Sequence, residues 1–313
     1  MTNVIEVVDG GLLTTVQDTG RYAYQRYGVP VAGVMDPYSA GLANALLGND
    51  EHAAVLEMTL VGPKLMFLEN SAFVLGGANL GARLDGQSID MWEVIWAKSG
   101  NILSFDGPTV GVRTYLAVPG GIDVPEVMGS RSTYVRAQIG GMQGRSLEQG
   151  DRLLWDPASA EPLKPGIRIP ESLLPMIAHE QIIRIVTGPQ TGSFTAQGIA
   201  TFLSSSYQVS QQSDRVGCRL EGPVIEHVDG ADIISDGTPF GGIQVTGDGL
   251  PVILMADRGV TGGYAKIATV ASVDLWKVAQ ALTGDTISFK AISPKDAQTI
   301  LIERKKELLE LQA

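Results

Sequence analysis

Apolar residues along this chain come in short runs rather than long helical stripes. Val252-Ile253-Leu254-Met255, set between glycine-containing turns, is typical. Runs of this length are too short for helices and suit strands, and they recur in both halves. The pattern therefore predicts a mainly β chain. A helical period shows in few places. Residues 37–47 start with Pro37 behind Asp36, carry Leu42, Ala43, Ala45, Leu46 and Leu47, and stop at Gly48, which predicts a short buried helix. From Ser293, a capping residue, Pro294 and apolar Ala297, Ile300, Leu301, Leu308 and Leu309 predict an amphipathic C-terminal helix. Docking on its own domain is the plainer use of its apolar face, and binding a partner the other.

Pro157, Pro162, Pro165, Pro170 and Pro175 crowd a stretch that can be neither helix nor central strand. It reads as a connection, and the expected organisation is a domain over residues 1–160, a Pro-rich linker over 161–178 and a domain over 179–313. The two halves are also related. A shift of 184 places Asp90-Met91-Trp92-Glu93-Val94 on Asp274-Leu275-Trp276-Lys277-Val278, then Ala97 on Ala281, Gly100 on Gly284 and Ser104-Phe105 on Ser288-Phe289. Identities at this offset exceed the roughly one expected by chance in such a window. The expectation is one β fold used twice, with a small-molecule site in the cleft between the copies.

Composition supports this picture and narrows the function. At a usual size of about 100–200 residues per domain, 313 residues make two domains. The 38 glycines, about 12% against a typical ~7%, fit many tight turns. With 23 basic and 34 acidic residues the formal charge is −11, which repels nucleic-acid phosphates and anionic membranes. Cys218 is the only cysteine, so no intrachain disulfide and no cysteine-rich zinc site can form, and a reducing cytoplasm is expected. No leader-like start and no run of 18 apolar residues occur. His52, His179 and His227 lack metal-binding spacing, so no metal site is expected.

Four stretches concentrate polar side chains among glycines, where backbone can approach a ligand closely. In Thr14-Thr15-Val16-Gln17-Asp18-Thr19-Gly20-Arg21, Arg21 suits a bidentate carboxylate clamp fixed by Gln17 and Asp18; the alternative is a turn with Arg21 in a structural salt bridge. Gly129-Ser130-Arg131-Ser132-Thr133, followed by a glycine-rich run up to Arg145, combines hydroxyls, backbone donors and a guanidinium. It is the best anion-site candidate, set against hydroxyls that merely satisfy their own backbone. The third stretch is Ser213-Asp214-Arg215. The fourth contains Gln244 and the run Asp257-Arg258-Gly259-Val260-Thr261-Gly262-Gly263-Tyr264-Ala265-Lys266, where a carboxylate, a phenol and an amine share one glycine-rich region. The plainer readings make Lys266 a solvated strand residue and Asp257 a turn former. Cys218 reads as a small buried hydrophobe. Neither a P-loop nor a G-x-S-x-G elbow is present, and nucleotide binding by this chain alone is unsupported.

At these stretches the chain resembles a family of biotin-dependent carboxyltransferase components, which includes the C-type subunit of 5-oxoprolinase (PxpC), the KipI antagonist KipA and the second subunit of allophanate hydrolase. The resemblance is carried by Thr14-Thr15-Val16-Gln17-Asp18 with Gly20-Arg21, Gly28-Val29-Pro30 with Met35-Asp36, Leu42-Ala43-Asn44, Gly129-Ser130-Arg131-Ser132-Thr133, Ser213-Asp214-Arg215 and Thr261-Gly262-Gly263-Tyr264. It departs from the family where Ala32-Gly33-Val34 replaces a commoner Ser-Gly-Ala, and where Val260 and Ala265 flank the Gly-Gly-Tyr. The resemblance implies two tandem cyclophilin-like β-barrel domains and a KipI- or PxpB-like protein as partner, with a PxpA-like protein completing the complex. It also implies a role in ATP-dependent opening of 5-oxoproline to L-glutamate, inactive alone. The alternatives are a carboxyltransferase component of a urea or amide carboxylase and a regulatory KipI-binding antagonist. With no Met-Lys-Met biotin-acceptor motif in the chain, ATP and biotin are expected only through partner chains. Residue type and motif position make Asp257, Tyr264 and Lys266 the catalytic candidates. Those for substrate binding are Gln17, Arg21, Asp36, Arg131, Ser132, Thr133, Arg145, Asp214, Arg215, Gln244, Gly262 and Gly263.

Overall fold

A computed structural model describes residues 3–156 and 164–311. The chain divides into two compact units. The first comprises Met1–Tyr22, Ala32–Ile177 and Lys306–Ala313, and the second Ala23–Val31 and Ala178–Lys305. Both are built mainly of strands, as the short apolar runs require.

The first unit contains β1 (Asn3–Asp9), β2 (Leu13–Gln17), β3 (Val55–Thr59), β4 (Lys64–Phe67), β5 (Ser71–Asn79), β6 (Ala82–Leu84), β7 (Gln87–Ser88), β8 (Ile95–Ala97), β9 (Ile102–Phe105), β10 (Val110–Ala117) and β11 (Arg152–Trp155). They form a six-stranded sheet, β11-β1-β4-β9-β6-β7, and a five-stranded sheet, β2-β3-β10-β5-β8. Ile5, Leu65, Phe67 and Leu103 of the first sheet meet Val16, Leu56, Phe73 and Leu116 of the second in one core, and Phe67 and Phe73 stack at 5.2 Å. Helix α1 (Pro37–Leu46) contributes Ala40 and Ala43 to a second core with Val55, Val74, Tyr115 and Ala117 of the five-stranded sheet. That sheet is buried on both faces, which explains why β5 reads as a nearly unbroken apolar run instead of an alternation. Asp36 caps α1 as expected, its Oδ1 accepting from the Ser39 N–H at 2.9 Å.

Pro157 and Pro162 of the proline-rich stretch lie outside the described residues. Residues 164–177 belong to the first unit. A 3-10 turn over Glu171–Leu173 follows Ile169, and Ile169 and Leu173 are buried beside Leu42 and Trp92. Leu308 joins the same cluster.

The second unit contains β12 (Glu180–Thr187), β13 (Ser206–Val209), β14 (Gly217–Glu221), β15 (Asp232–Gly237), β16 (Gly242–Val245), β17 (Pro251–Leu254), β18 (Thr261–Tyr264), β19 (Lys266–Val270) and β20 (Thr286–Ala291). Seven of these close a barrel in the order β12-β19-β16-β17-β14-β13-β20, joined through a parallel β12–β20 pair. Ile183, Ile185, Tyr207, Leu220, Ile243, Ile253 and Ile287 are buried. The remaining two strands, β15 and β18, form a separate ribbon. Helix α2 (Ala196–Ser204) is capped by Thr195 and lays Phe202 on Phe289 of β20 at 4.5 Å; α3 (Leu275–Gln280) is a single short stretch. Neither shows in the sequence as a helical period, because six to nine residues complete two turns and a half at most. The C-terminal helix α4 (Pro294–Glu310) starts where expected, Ser293 Oγ accepting from the Asp296 N–H at 3.1 Å.

The repeat has a local structural counterpart. Gly100 and Gly284 each adopt φ near 90°, and each turn leads into a strand, β9 and β20, starting two residues later. The Lys98 N–H donates to Asn101 Oδ1 at 2.6 Å, and at the shifted positions the Leu282 N–H donates to Asp285 Oδ2 at 2.7 Å. Upstream the copies diverge: Trp92 sits in irregular chain at φ 64°, while Trp276 lies in α3.

Candidate functional site

Three groups of polar side chains gather the sequence candidates. In the first unit, the carboxylate of Asp18, just past β2, is a hub. Its Oδ1 accepts from the Gly20 N–H at 2.8 Å, from Ser130 Oγ at 2.7 Å and from Ser132 Oγ, and its Oδ2 accepts from the Arg131 N–H at 2.6 Å. Thr133 donates both its N–H and its Oγ1–H to the Val16 carbonyl. Gln17 Nε2 donates to Thr15 Oγ1 and to the Thr133 carbonyl. Arg21, fully buried, gives Nε to the Val127 carbonyl and Nη2 to the Ser132 carbonyl, each at 2.8 Å. The expected anion loop is thus knitted into the fold, and its hydroxyls are spent internally. Gly140 and Gly141 close against it at φ 68° and 52°; a side chain on Gly141 would collide with Thr133 Oγ1.

Arg131 is the exception. Its Nη1 donates to Glu126 at 2.6 Å and its Nε to the Val124 carbonyl, but about a third of its side chain is exposed. It lines two adjoining shallow cavities of about 300 and 370 Å³, together with Asn49, Asp50, His52, Ala53, Gly120 and Asp123. Two more candidates of this unit hold structure together. Asp36 is buried at the α1 cap and its N–H donates to Tyr115 Oη, while the Tyr115 hydroxyl donates to buried Glu57 at 2.9 Å. Burial, and then the Glu57 and Asp36 charges, raise the Tyr115 phenol well above its usual pKa. Arg145 forms a bidentate pair with Asp151, at 2.7 and 2.8 Å, and the hydrogen bond to Arg145 is the main cause holding Asp151 below the usual carboxylate range.

In the second unit, Arg215 and Asp257 form a buried bidentate pair at 3.0 and 2.9 Å, each under a tenth exposed. Asp214 shapes the preceding turn, its Oδ1 accepting from the Val216 and Gly217 N–H groups. The third group surrounds Lys266, the first residue of β19. Its Nζ donates to Asp236 Oδ2 at 3.1 Å. Gln190, between β12 and α2, braces both: its Oε1 accepts from the Lys266 N–H and its Nε2 donates to the same Asp236 oxygen, each at 3.0 Å. Gln244, opposite Lys266 in the β16–β19 pair, donates to the Tyr264 carbonyl at 3.2 Å. Gly262 and Gly263 lie in β18, and a side chain on Gly262 would meet Gln244 Nε2 at 2.5 Å. Tyr264 at the end of that strand is 38% exposed.

Lys266 is therefore buried, not solvated, and Asp257 lies in a turn as expected while also pairing with Arg215. The structure joins Asp257 to Arg215 and Lys266 to Asp236, so these two candidates serve different pairs. Asp236 and Gln190 escape a reading of the sequence: they lie 30 and 76 residues from Lys266 and carry no motif. Among the described residues no group of three or more His, Cys, Asp or Glu could hold a metal, and no helix is long and apolar enough to cross a membrane.

Two β units with this polar architecture match the family of the carboxyltransferase domain, subdomains A and B, over residues 27–291, and the chain belongs to that family. Among individual relatives, it is 35% identical to the C-type subunit of Escherichia coli 5-oxoprolinase over 94% of this chain and 93% of that protein. It is 33% identical to the corresponding 5-oxoprolinase subunit from Haemophilus influenzae, over 97% and 96%. Its fold superposes on the urea amidolyase of K. lactis with a TM-score of 0.92 and 36% identity, covering 98% of this chain but only 20% of that much longer one.

Proposed function

We propose that this chain is the C-type subunit of an ATP-dependent 5-oxoprolinase complex, one that opens the lactam of 5-oxoproline to L-glutamate and in which this subunit is inactive alone. The observation that carries the reading is coverage: the chain matches the two 5-oxoprolinase subunits nearly from end to end, but only a fifth of the urea amidolyase. PxpA-like and PxpB-like partners supply what this chain lacks. A triphosphate needs outward-facing backbone donors and basic side chains, whereas the Arg131 and Thr133 N–H groups are committed to Asp18 and Val16. These residues do not fit ATP, nor does the chain carry a biotin-acceptor motif, so no step is assigned here to either cofactor.

Within this reading, Lys266 polarises the lactam carbonyl, because an ammonium held in a water-poor setting stabilises a developing oxyanion far more than one in solution. Tyr264 closes over the substrate and Asp257 holds Arg215 in place; Arg131, in the first unit, is a separate candidate for holding an anionic group. The decisive experiment is 5-oxoproline-dependent ATP hydrolysis and glutamate release by this chain mixed with its PxpA-like and PxpB-like partners, omitting each in turn. Activity that needs all three is the expected result; stable assembly with the PxpB-like partner but no turnover sinks the reading in favour of a regulatory module. Lys266→Ala and Arg131→Ala are each expected to cut turnover, and wild-type rates in both would remove the residue roles. A second reading rests on the fold match to urea amidolyase: a carboxyltransferase component, distinguished by urea-dependent turnover only when a biotin carrier is added.

A further inference from the structure

Lys266 is the only lysine buried among the described residues, its side chain 4% exposed, yet its ion-pair partner, Asp236, is 55% exposed. An ammonium has three N–H donors. One goes to Asp236 Oδ2. The neighbouring strand β16 presents neutral Gln244, whose amide donates instead to the Tyr264 carbonyl, and the β12–α2 connection presents neutral Gln190. Two donors of a nearly buried cation are thus left for acceptors from outside the chain, a costly arrangement unless an oxygen-bearing group fills it.

Asp236 is itself restrained. The Gly237 N–H donates to its Oδ1 at 2.7 Å, Gln190 donates to its Oδ2, and it sits on the ribbon strand β15, in a different sheet from the barrel strand that carries Lys266. Gln190 links the two, touching the backbone of Lys266 and the carboxylate of Asp236 at once. The hydrogen bond from Lys266 is the main cause holding the Asp236 carboxyl below its usual pKa.

We propose that Asp236 and Gln190 are positioning residues for Lys266: together they aim its two remaining N–H donors at a carbonyl or carboxylate oxygen of the bound substrate. The substrate half of this inference rests on the oxoprolinase reading; the positioning half does not. In the reconstituted complex, Asp236→Ala should lower kcat for 5-oxoproline-dependent ATP cleavage by roughly tenfold or more, at near-wild-type melting temperature, with partial recovery in Asp236→Glu and an intermediate loss in Gln190→Ala. The second readout needs no turnover. In the full chain carrying lysine isotopically labelled at Cε, with the Lys266 signal assigned through Lys266→Arg, Asp236→Ala should move and broaden the Lys266 Cε signal, since the ammonium loses the carboxylate that fixes its rotamer. An unchanged Lys266 Cε signal in Asp236→Ala overturns the proposal whatever the kinetics, as does wild-type kcat in both Asp236→Ala and Gln190→Ala. A changed Lys266 Cε signal in Asp236→Ala, beside a wild-type complex that never turns over 5-oxoproline, keeps the positioning role and overturns the substrate instead.

Discussion

The Asp18 hub and the Lys266 group are both polar and mostly buried, and they differ in saturation. Around Asp18, two serine hydroxyls and two backbone N–H groups converge on one carboxylate, with Thr133 and Arg21 bound to carbonyls beside it. Around Lys266, a buried cation has one exposed partner and donors to spare. In the first arrangement the carboxylate and the loop hydroxyls are bound to one another and specify a loop; the second keeps buried donor capacity beside an accessible carboxylate. Motif density in the sequence points to the first, and the better functional candidate is the second.

Substitutions put this contrast to the test. The largest loss of stability is expected from Asp18→Ala, which strands several buried donors and should cost about 3–5 kcal/mol in denaturant unfolding; a loss under about 1 kcal/mol would show that the hub is not structural. Arg215→Ala leaves Asp257 buried without its counter-charge and should cost about 3 kcal/mol, much of it recovered in Arg215→Met with Asp257→Leu. Gly141→Ala forces a left-handed φ and a clash onto the Ser132-Thr133 segment and should cost about 1–3 kcal/mol; near-neutral behaviour would mean the loop gives way easily.

A smaller effect should appear as a pH dependence in the second unit. Burial pushes the Asp274 carboxyl up, but the Arg184 side chain and backbone N–H and the Lys277 charge outweigh it and hold the group below its ordinary value. A depressed carboxylate contributes its full stability above the unfolded value of about 3.9 and loses it as pH falls through the folded one. Acid unfolding below about pH 4 should therefore be shallower in Asp274→Asn than in wild type; identical acid limbs would count against the Arg184 pairing. The smallest change belongs to Arg131→Ala, whose exposed pair with Glu126 should be worth less than about 1 kcal/mol. Any large fall in turnover from that substitution would then report on ligand binding and not on folding.

Much of the architecture is legible in the sequence. Short apolar runs between glycines announce strands; Asp36 with Pro37, and Ser293 with Pro294, announce two helices through capping chemistry that acts over a few residues. Even the repeat is local, since the Gly100 and Gly284 turns owe their shape to a positive φ and to a side-chain acceptor one residue further on. The short helices α2 and α3 escaped because they are too brief to show a period. Strand, turn and cap are set by neighbouring residues and can be read along the chain. Packing of distant segments is what turns the hydroxyls of Ser130 and Ser132 inward to a carboxylate over a hundred residues away, and buries Lys266 with Asp236 and Gln190 around it. The reason is physical. Burial and the remaining hydrogen-bonding capacity of a polar group are set by every segment that packs on it, and those segments are joined by the fold, not by adjacency along the chain.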